Sequence, residues 1–267
     1  MADPPTYEIY AVKYARHERS ARENFIGGDP HDGPMPLDYF IWLVRNSERI
    51  VVVDTGFSAA TAVRRQREHL RCPSEGLRML GVDASVVRDV VITHLHYDHV
   101  GNFDLFPAAS YHLQDAEMRY ATGRHMCHEV FSGAFDVEDV VGMVRSVYRG
   151  RVRFHDGDAD LFPGISLHRI GGHTMGLQVV RVMTRRGWVV LASDASHFYA
   201  NMEQVRPFPI VYSVADMVEG YARLRVLAES PDHVIPGHDP QVMQRYPAPR
   251  KELEGIVARI DSSQMLT

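Results

Sequence analysis

Residues 93–99 read Thr-His-Leu-His-Tyr-Asp-His, directly after the run Asp-Val-Val-Ile at 89–92. The run is short, apolar and β-branched, which predicts a buried strand. In extended chain, residues two apart point the same way, so His94 and His96 can meet one ion. Asp98 and His99 follow where the chain must turn toward Gly101, and a turn redirects them to a second ion beside the first. Imidazole nitrogen and carboxylate oxygen suit Zn, and also Fe, Mn or Co. At this chain's own His and Asp frequencies, the His-x-His-x-Asp-His pattern arises by chance in about one such sequence in three hundred. The competing reading is a polar loop cluster on the surface. The chain holds 15 histidines, roughly twice ordinary usage, so their positions matter.

Three later positions extend the set. His173 lies in Gly171-Gly172-His173-Thr174, Asp194 follows an apolar run at 188–192, and His238 lies in Pro236-Gly237-His238-Asp239. Each falls in a turn after a predicted strand, where loops gather reactive groups on a rigid scaffold. Taken singly, each reads as a hydrogen-bonded structural residue. Beside the 94–99 motif, they complete a ligand set.

Periodicity and turn residues predict strands at 7–14, 37–44, 49–53, 89–93, 110–113, 151–155, 165–170, 178–183, 188–192 and 233–235. In the first of these, Tyr7, Ile9, Ala11 and Lys13 share a face. Helices are expected from a Ser58 cap to about 70, across 115–145 with breaks at Gly123 and Gly133, at 213–227 and at 250–260. Residues 16–36 are a long loop rich in Gly, Pro, Asp and Asn, a kind that is functional or disordered in compact domains. Strands precede helices twice over, as two face-to-face sheets with helices outside would require. No repeat or linker stands out, so the whole span 1–267 reads as one domain.

Composition excludes more than it selects. The net charge of −5 and the lack of a basic run argue against nucleic acid and anionic membrane as partners. The polar start lacks a secretion signal, and no apolar run could span a bilayer. Two cysteines, Cys72 and Cys127, read as buried or half-buried thiols in a reducing cytoplasm. A homodimer is left open.

Taken in order, His94-x-His96-x-Asp98-His99, His173, Asp194 and His238, with Val51-Val52-Val53-Asp54-Thr55-Gly56 upstream, resemble the metallo-β-lactamase superfamily. The resemblance spans roughly residues 40–240 and implies an αββα four-layer sandwich with a dinuclear site at one edge. It implies one metal on His94, His96 and His173, another on Asp98, His99 and His238, and Asp194 bridging them. Gly172-His173-Thr174-Met175-Gly176-Leu177-Gln178 and Asp194-Ala195-Ser196 are most similar to the N-acyl-homoserine lactonase and pyridoxolactonase-like group. That group typically carries a substrate-contacting Tyr three residues after the bridging Asp; here His197 stands there, with Tyr199 two residues on.

The resulting expectation is a hydrolase that opens a small-molecule lactone, or cleaves a related ester, by attack of a hydroxide shared between two divalent ions. Asp98 is the candidate proton acceptor. His197, a neutral donor, is the candidate for oxyanion or leaving-group contact, against an ordinary solvent-facing or capping His. Tyr199 is its weaker substitute. Asp54 reads first as an acceptor for backbone N–H groups of its turn, second as an orienter of a metal-binding His. The segments around Phe25-Ile26 and 206–212 are either walls of a mostly apolar pocket or packed connectors, and His125 and His128 read first as a solvated helix face and second as pocket lining. Alternatives are a glyoxalase II-like thioester hydrolase, which usually has a longer basic C-terminal region, and a mononuclear-iron, persulfide-dioxygenase-like oxidoreductase, which uses two His and one Asp. A non-catalytic, metal-stabilised module fits less well, because closed structural zinc sites take four ligands and often Cys.

Overall fold

In the computed structural model the described residues, 4–265, form thirteen strands in two sheets. The larger contains β1 (Glu8–His17), β2 (Leu37–Arg45), β3 (Ile50–Val53), β4 (Glu68–His69), β5 (Asp89–Val91), β6 (Ser110–Gln114) and β7 (Val152–His155). The smaller contains β8 (Ala159–Phe162), β9 (Ile165–Arg169), β10 (Gln178–Thr184), β11 (Gly187–Ser193) and β12 (Val234–Pro236). A last strand, β13 (Val257–Arg259), returns to the first sheet. The orders are β13-β1-β2-β3-β5-β6-β7, with β4 on β1, and β12-β11-β10-β9-β8. The helices are α1 (Ala59–Arg65), α2 (Pro73–Met79), α3 (Tyr97–Val100), α4 (Asp115–Ala121), α5 (Glu129–Ser132), α6 (Val137–Tyr148), α7 (Tyr199–Glu203), α8 (Val214–Leu227) and α9 (Gln241–Arg245).

Strand β1 shows why the layers stack. Its alternate residues Tyr10, Val12 and Tyr14 join a core with Ala62, Leu77 and Met143 of α1, α2 and α6. The intervening Ile9 and Ala11 join a second core with Trp42, Val179 and Val190, and with Met217 and Leu224 of α8. A sheet apolar on both faces needs cover on both, and each large side chain so buried contributes about 1.5–3 kcal/mol. The result is helix, sheet, sheet, helix, the expected αββα sandwich. β3, β5 and β6 run parallel, as do β11 and β12. The chain therefore leaves β3, β5, β11 and β12 at one common edge, where Gln178 N donates to Thr93 O across the two sheets at 3.0 Å.

Several expectations are corrected. The helix capped by Ser58, whose side chain accepts from Thr61 N, stops at Arg65 rather than near 70, because Gln66 turns left-handed (φ 55) and β4 pairs with β1. Residues 250–260 are not a helix: a 3-10 turn gives way at Gly255 (φ 72), and β13 then pairs antiparallel with β1. That pairing buries Val257 and Ala258, a gain that outweighs the local helical pattern. β8, an edge strand, and α2, begun by Pro73, went unforeseen. Cys72 is half-buried as expected, but Cys127 is exposed, and both are free thiols. Among the described residues no helix is long and apolar enough to cross a membrane.

Candidate metal centre

Each of the seven predicted ligands is buried at the common sheet edge. After β5 the chain runs through Thr93 and His94 without regular structure and then enters α3, with His96 at its N-cap position and Asp98 and His99 in the short helix itself. The short helix, rather than an open turn, is what separates the two pairs. His173 comes from the β9–β10 connection, Asp194 from the end of β11 and His238 from the end of β12.

The groups fall into two sets around Asp194. Ligand atoms of His94, His96, His173 and Asp194 lie within 4.8 Å of one another, as do those of Asp98, His99 and His238. Asp194 Oδ2 faces His94 Nε2 at 3.8 Å and His173 Nε2 at 3.1 Å, while its Oδ1 faces His99 Nε2 at 3.3 Å and His238 Nε2 at 2.9 Å. Asp98 Oδ2 sits 3.6 Å from His99 Nε2 and 3.7 Å from His238 Nε2. One carboxylate thus divides its two oxygens between two imidazole sets.

The outward nitrogens are tied down, which fixes the tautomers. His173 Nδ1 lies 2.7 Å from Ile210 O, His238 Nδ1 lies 3.0 Å from Asp38 O, and His99 Nδ1 lies 2.8 Å from Asp54 Oδ2. Each ring donates there and turns the Nε2 lone pair inward, as metal-binding histidines do. His94 Nε2 and His99 Nε2 are buried with no hydrogen-bond partner among the described residues. Buried polar atoms left unpaired cost about 1–3 kcal/mol each, and cations between the sets satisfy both. His173 Nε2 and His96 Nδ1 are 2.9 Å apart, near the roughly 3.3 Å that two imidazole nitrogens span on a tetrahedral zinc. The donor set, nitrogen and carboxylate without sulfur, fits two divalent ions.

Electrostatics point the same way. Burial holds His94 and His96 well below the ordinary histidine range, helped by the neighbouring imidazoles. For His99 burial pulls down too, but Asp194, Asp98 and Asp54 outweigh it and raise its affinity for positive charge. Burial alone would raise Asp194; the surrounding His197, His238, His99 and His173 instead hold it ionised.

His197 is neither solvent-facing nor a cap. Its ring is buried and stacks on Phe208 at 3.8 Å and 8°, with Nε2 3.0 Å from Asp194 Oδ2. Burial overrides the pull of Asp194 and pushes its pKa down to about 3, so the ring is neutral. Tyr199 is corrected: it starts α7, packs in the second core beneath the Arg245 guanidinium, and does not line the cavity at the centre. A β-strand-like reach of two residues is lost because the helix turns its side chain into the core.

Asp54 is placed for both of the roles read from the sequence, with a different backbone donor from the one expected. Its Oδ1 accepts from Thr93 N at 2.8 Å, a residue of the metal motif and not of its own turn, and its Oδ2 orients His99. Glu117, on α4, was missed entirely. Its carboxylate, buried and raised in pKa by that burial, accepts from Leu95 N at 2.9 Å, Thr174 Oγ1 at 2.6 Å and Gly176 N at 3.0 Å. It clamps the loop bearing His94 and His96 to the loop bearing His173. Gly176 permits this approach, since a Cβ there would sit 2.1 Å from Glu117 N. Gly237 does the same for Asp194, whose Oδ1 would be 3.0 Å from its Cβ. No local pattern marks Glu117 beyond an acid in the first turn of a helix.

A cavity of about 150 Å³ opens onto the centre, lined by His96, Asp98, His173, Asp194, His197 and His238. Phe208 and Ile210 form part of its wall, so the 206–212 segment reaches the site. The wall is less apolar than expected, because Arg19, Arg65 and Arg67 line it as well. Phe25 packs instead under the Arg206 guanidinium. His128 is exposed as expected, whereas His125 packs among Tyr120, Phe131 and Tyr212.

The sequence signature of the Metallo-beta-lactamase superfamily matches residues 35–244, and the chain belongs to that superfamily. The N-acyl homoserine lactonase AttM of Rhizobium johnstonii is 32% identical over 173 residues, 61% of this chain and 62% of the lactonase. The match therefore spans under two thirds of that relative's own length. The structure of a quorum-quenching N-acyl homoserine lactone lactonase superposes with TM-score 0.74 at 20% identity, over 89% of this chain and 95% of that one. A dizinc quorum-quenching lactonase, AidC, gives TM-score 0.65 at 16% identity over 90% of each chain. Those two likenesses establish a shared fold.

Proposed function

We propose that the protein is a dinuclear metal-dependent hydrolase that opens a lactone or cleaves a related carboxylic ester. The observation that carries this reading is Asp194, one oxygen toward His94 and His173 and the other toward His99 and His238. His94, His96 and His173 would hold one divalent ion and Asp98, His99 and His238 the other, with Asp194 between; zinc suits the donors, as in the dizinc relative. Ions so held supply Lewis acidity and bring a water's pKa toward neutrality. Asp98, which lines the cavity, accepts the proton released and returns it to the leaving oxygen. His197 is held rigid on Phe208 and neutral; its one N–H, on Nε2 beside Asp194 Oδ2, would be shared with the carbonyl or leaving oxygen of the substrate. In a lactone the leaving oxygen stays on the product, and no Ser or Cys nucleophile is needed.

The mononuclear-iron alternative leaves Asp98, His99 and His238 unexplained. Purified protein of measured metal content, tested on acyl-homoserine lactones, aromatic lactones, glutathione thioesters and phosphodiesters, is expected to hydrolyse a lactone or ester. Turnover confined to thioesters, or none with both ions bound, would reject the proposal.

A further inference from the structure

Some arginines of this protein pair with acids, and others, such as Arg151 and Arg181, rest on backbone carbonyls. Arg45 and Arg259 reach Glu8, Arg64 reaches Asp136, Arg206 reaches Asp29 and Arg223 reaches Asp158. The three arginines that line the cavity over the candidate metal centre belong to the second group, and their place at its opening sets them apart. Among the described residues, neither Arg19, Arg65 nor Arg67 lies within ion-pair distance of a carboxylate. Each is half-buried and held by neutral acceptors. Arg65 donates to Gly133 O at 2.9 Å and Phe135 O at 2.8 Å, with its guanidinium 3.9 Å from the Tyr97 ring centroid. Arg67 donates to Tyr97 Oη at 3.1 Å and to Arg65 O at 2.6 Å. Arg19 donates to Asn24 Oδ1 at 2.7 Å and Glu23 O at 2.6 Å. Glu23, close to Arg19 in the loop, turns its carboxylate back to Ser20 N at 2.8 Å.

Neutral acceptors orient a guanidinium without cancelling its charge. Three half-buried guanidinium groups at one opening, none of them in a direct ion pair, concentrate positive potential where an entering anion would meet it. Arg67 keeps Nη2, and Arg19 keeps Nη1, without a protein partner among their hydrogen bonds. Guanidinium groups with free N–H edges suit carboxylate and phosphate oxygens. The acids inside the cavity, Asp98 and Asp194, lie at ion-pair distance from the imidazoles; Asp98 also attracts Arg67 through space, but neither acid contacts an arginine directly. A structural role, bracing the 115–145 segment and the 16–36 loop, accounts for the bonds of Arg65 and Arg19 but not for the free edges of Arg19 and Arg67.

We propose that the substrate carries an anionic oxygen group, apart from the bond that is cleaved, and that Arg19, Arg65 and Arg67 bind it. The inference rests on the hydrolase reading above and narrows it: neutral acyl-homoserine lactones are poor substrates, and a lactone or ester with a pendant carboxylate or phosphate is preferred.

Two measurements separate the anion site from the chemistry. In the first, metal-loaded protein is titrated calorimetrically with glutarate, its neutral diamide and inorganic phosphate. Glutarate or phosphate should bind at least tenfold more tightly than the diamide, and the tighter of the two identifies the oxyanion. Arg67→Gln and Arg19→Gln should each weaken that binding about tenfold, with Arg67→Lys restoring part of it. Anion affinity unchanged in both Gln variants would mean that the anion binds elsewhere, and overturns the proposal. In the second, N-glutaryl-homoserine lactone is compared with N-pentanoyl-homoserine lactone, which differs only in the terminal carboxylate. The glutaryl compound should be favoured at least tenfold in kcat/KM, mostly through KM, and the preference should shrink in about 0.5 M salt as charge is screened. Equal or inverted preference overturns the proposal. Arginine-dependent glutarate binding with neither lactone opened would reject the lactone reading while supporting the anion site.

Discussion

Asp54 Oδ2 lies 2.8 Å from His99 Nδ1, across 45 residues of sequence, while Asp54 Oδ1 accepts the Thr93 N–H at 2.8 Å. One carboxylate at the end of β3 therefore fixes both the strand that launches the metal motif and the tautomer of one of its histidines. Asp54 takes a left-handed backbone (φ 62), which Asn also tolerates. Asp54→Asn keeps the turn and removes a carboxylate charge that faces His99. It should weaken metal binding about 10–100-fold, read by competition with a chromophoric chelator. Wild-type affinity in the variant would mean that Asp54 serves the backbone alone.

Glu117 is the second support. Its two oxygens receive donors from Leu95, Thr174 and Gly176. Glu117→Gln must turn an amide NH2 toward either the Leu95 or the Gly176 N–H, whichever way it flips. A buried donor facing a donor costs about 1–3 kcal/mol, and each kcal/mol lowers Tm by roughly 2–4 °C in a chain of this size. Metal affinity should fall with it, because both ligand loops lose their clamp. A variant as stable as wild type would refute the clamp.

His197→Phe keeps the stack on Phe208 and removes the N–H. Turnover should fall about a hundredfold or more, with metal content unchanged. Wild-type turnover would return His197 to packing. Loss of metal would make it a ligand, which its place beside Asp194 and His238 permits geometrically.

Asp139, on α6, gives a pH signature independent of the centre. Burial first, and then Asp136, raise its pKa from 3.8 to about 7, against Arg64 and Arg65. Between those values the folded protein keeps a proton that the unfolded chain has released, so this group's contribution falls as pH rises through that window and is level above it. Asp139→Asn removes the dependence. The Tm of the variant relative to wild type should climb from about pH 4 to pH 7 and then plateau, a range set by the two pKa values. A difference that stays flat over that range would contradict the buried-acid account.

The metal motif was legible because its spacing is local: two imidazoles two apart at a strand end, with an acid and a third imidazole after the bend. His173, Asp194 and His238 were legible because each lies in a turn shortly after a predicted strand, two of them beside glycines. Glu117 and the three cavity arginines were not, since their meaning lies in what they face after folding. Arg19 sits in a loop, while Arg65 and Arg67 flank the end of α1, and no spacing links them. The strand β13 failed for the same reason: its partner β1 lies at the opposite end of the chain, and a short apolar stretch reads equally well as a helix. Tyr199 failed because two residues past His197 is a helix start, where the side chain turns inward to the core.

The central claim is a pair of ions divided by Asp194. Anomalous diffraction from crystals grown with zinc, recorded at the zinc edge, tests it most directly. The account predicts two peaks per chain, one among His94, His96 and His173 and one among Asp98, His99 and His238, with Asp194 between them. A single peak, or peaks remote from Asp194, would contradict it.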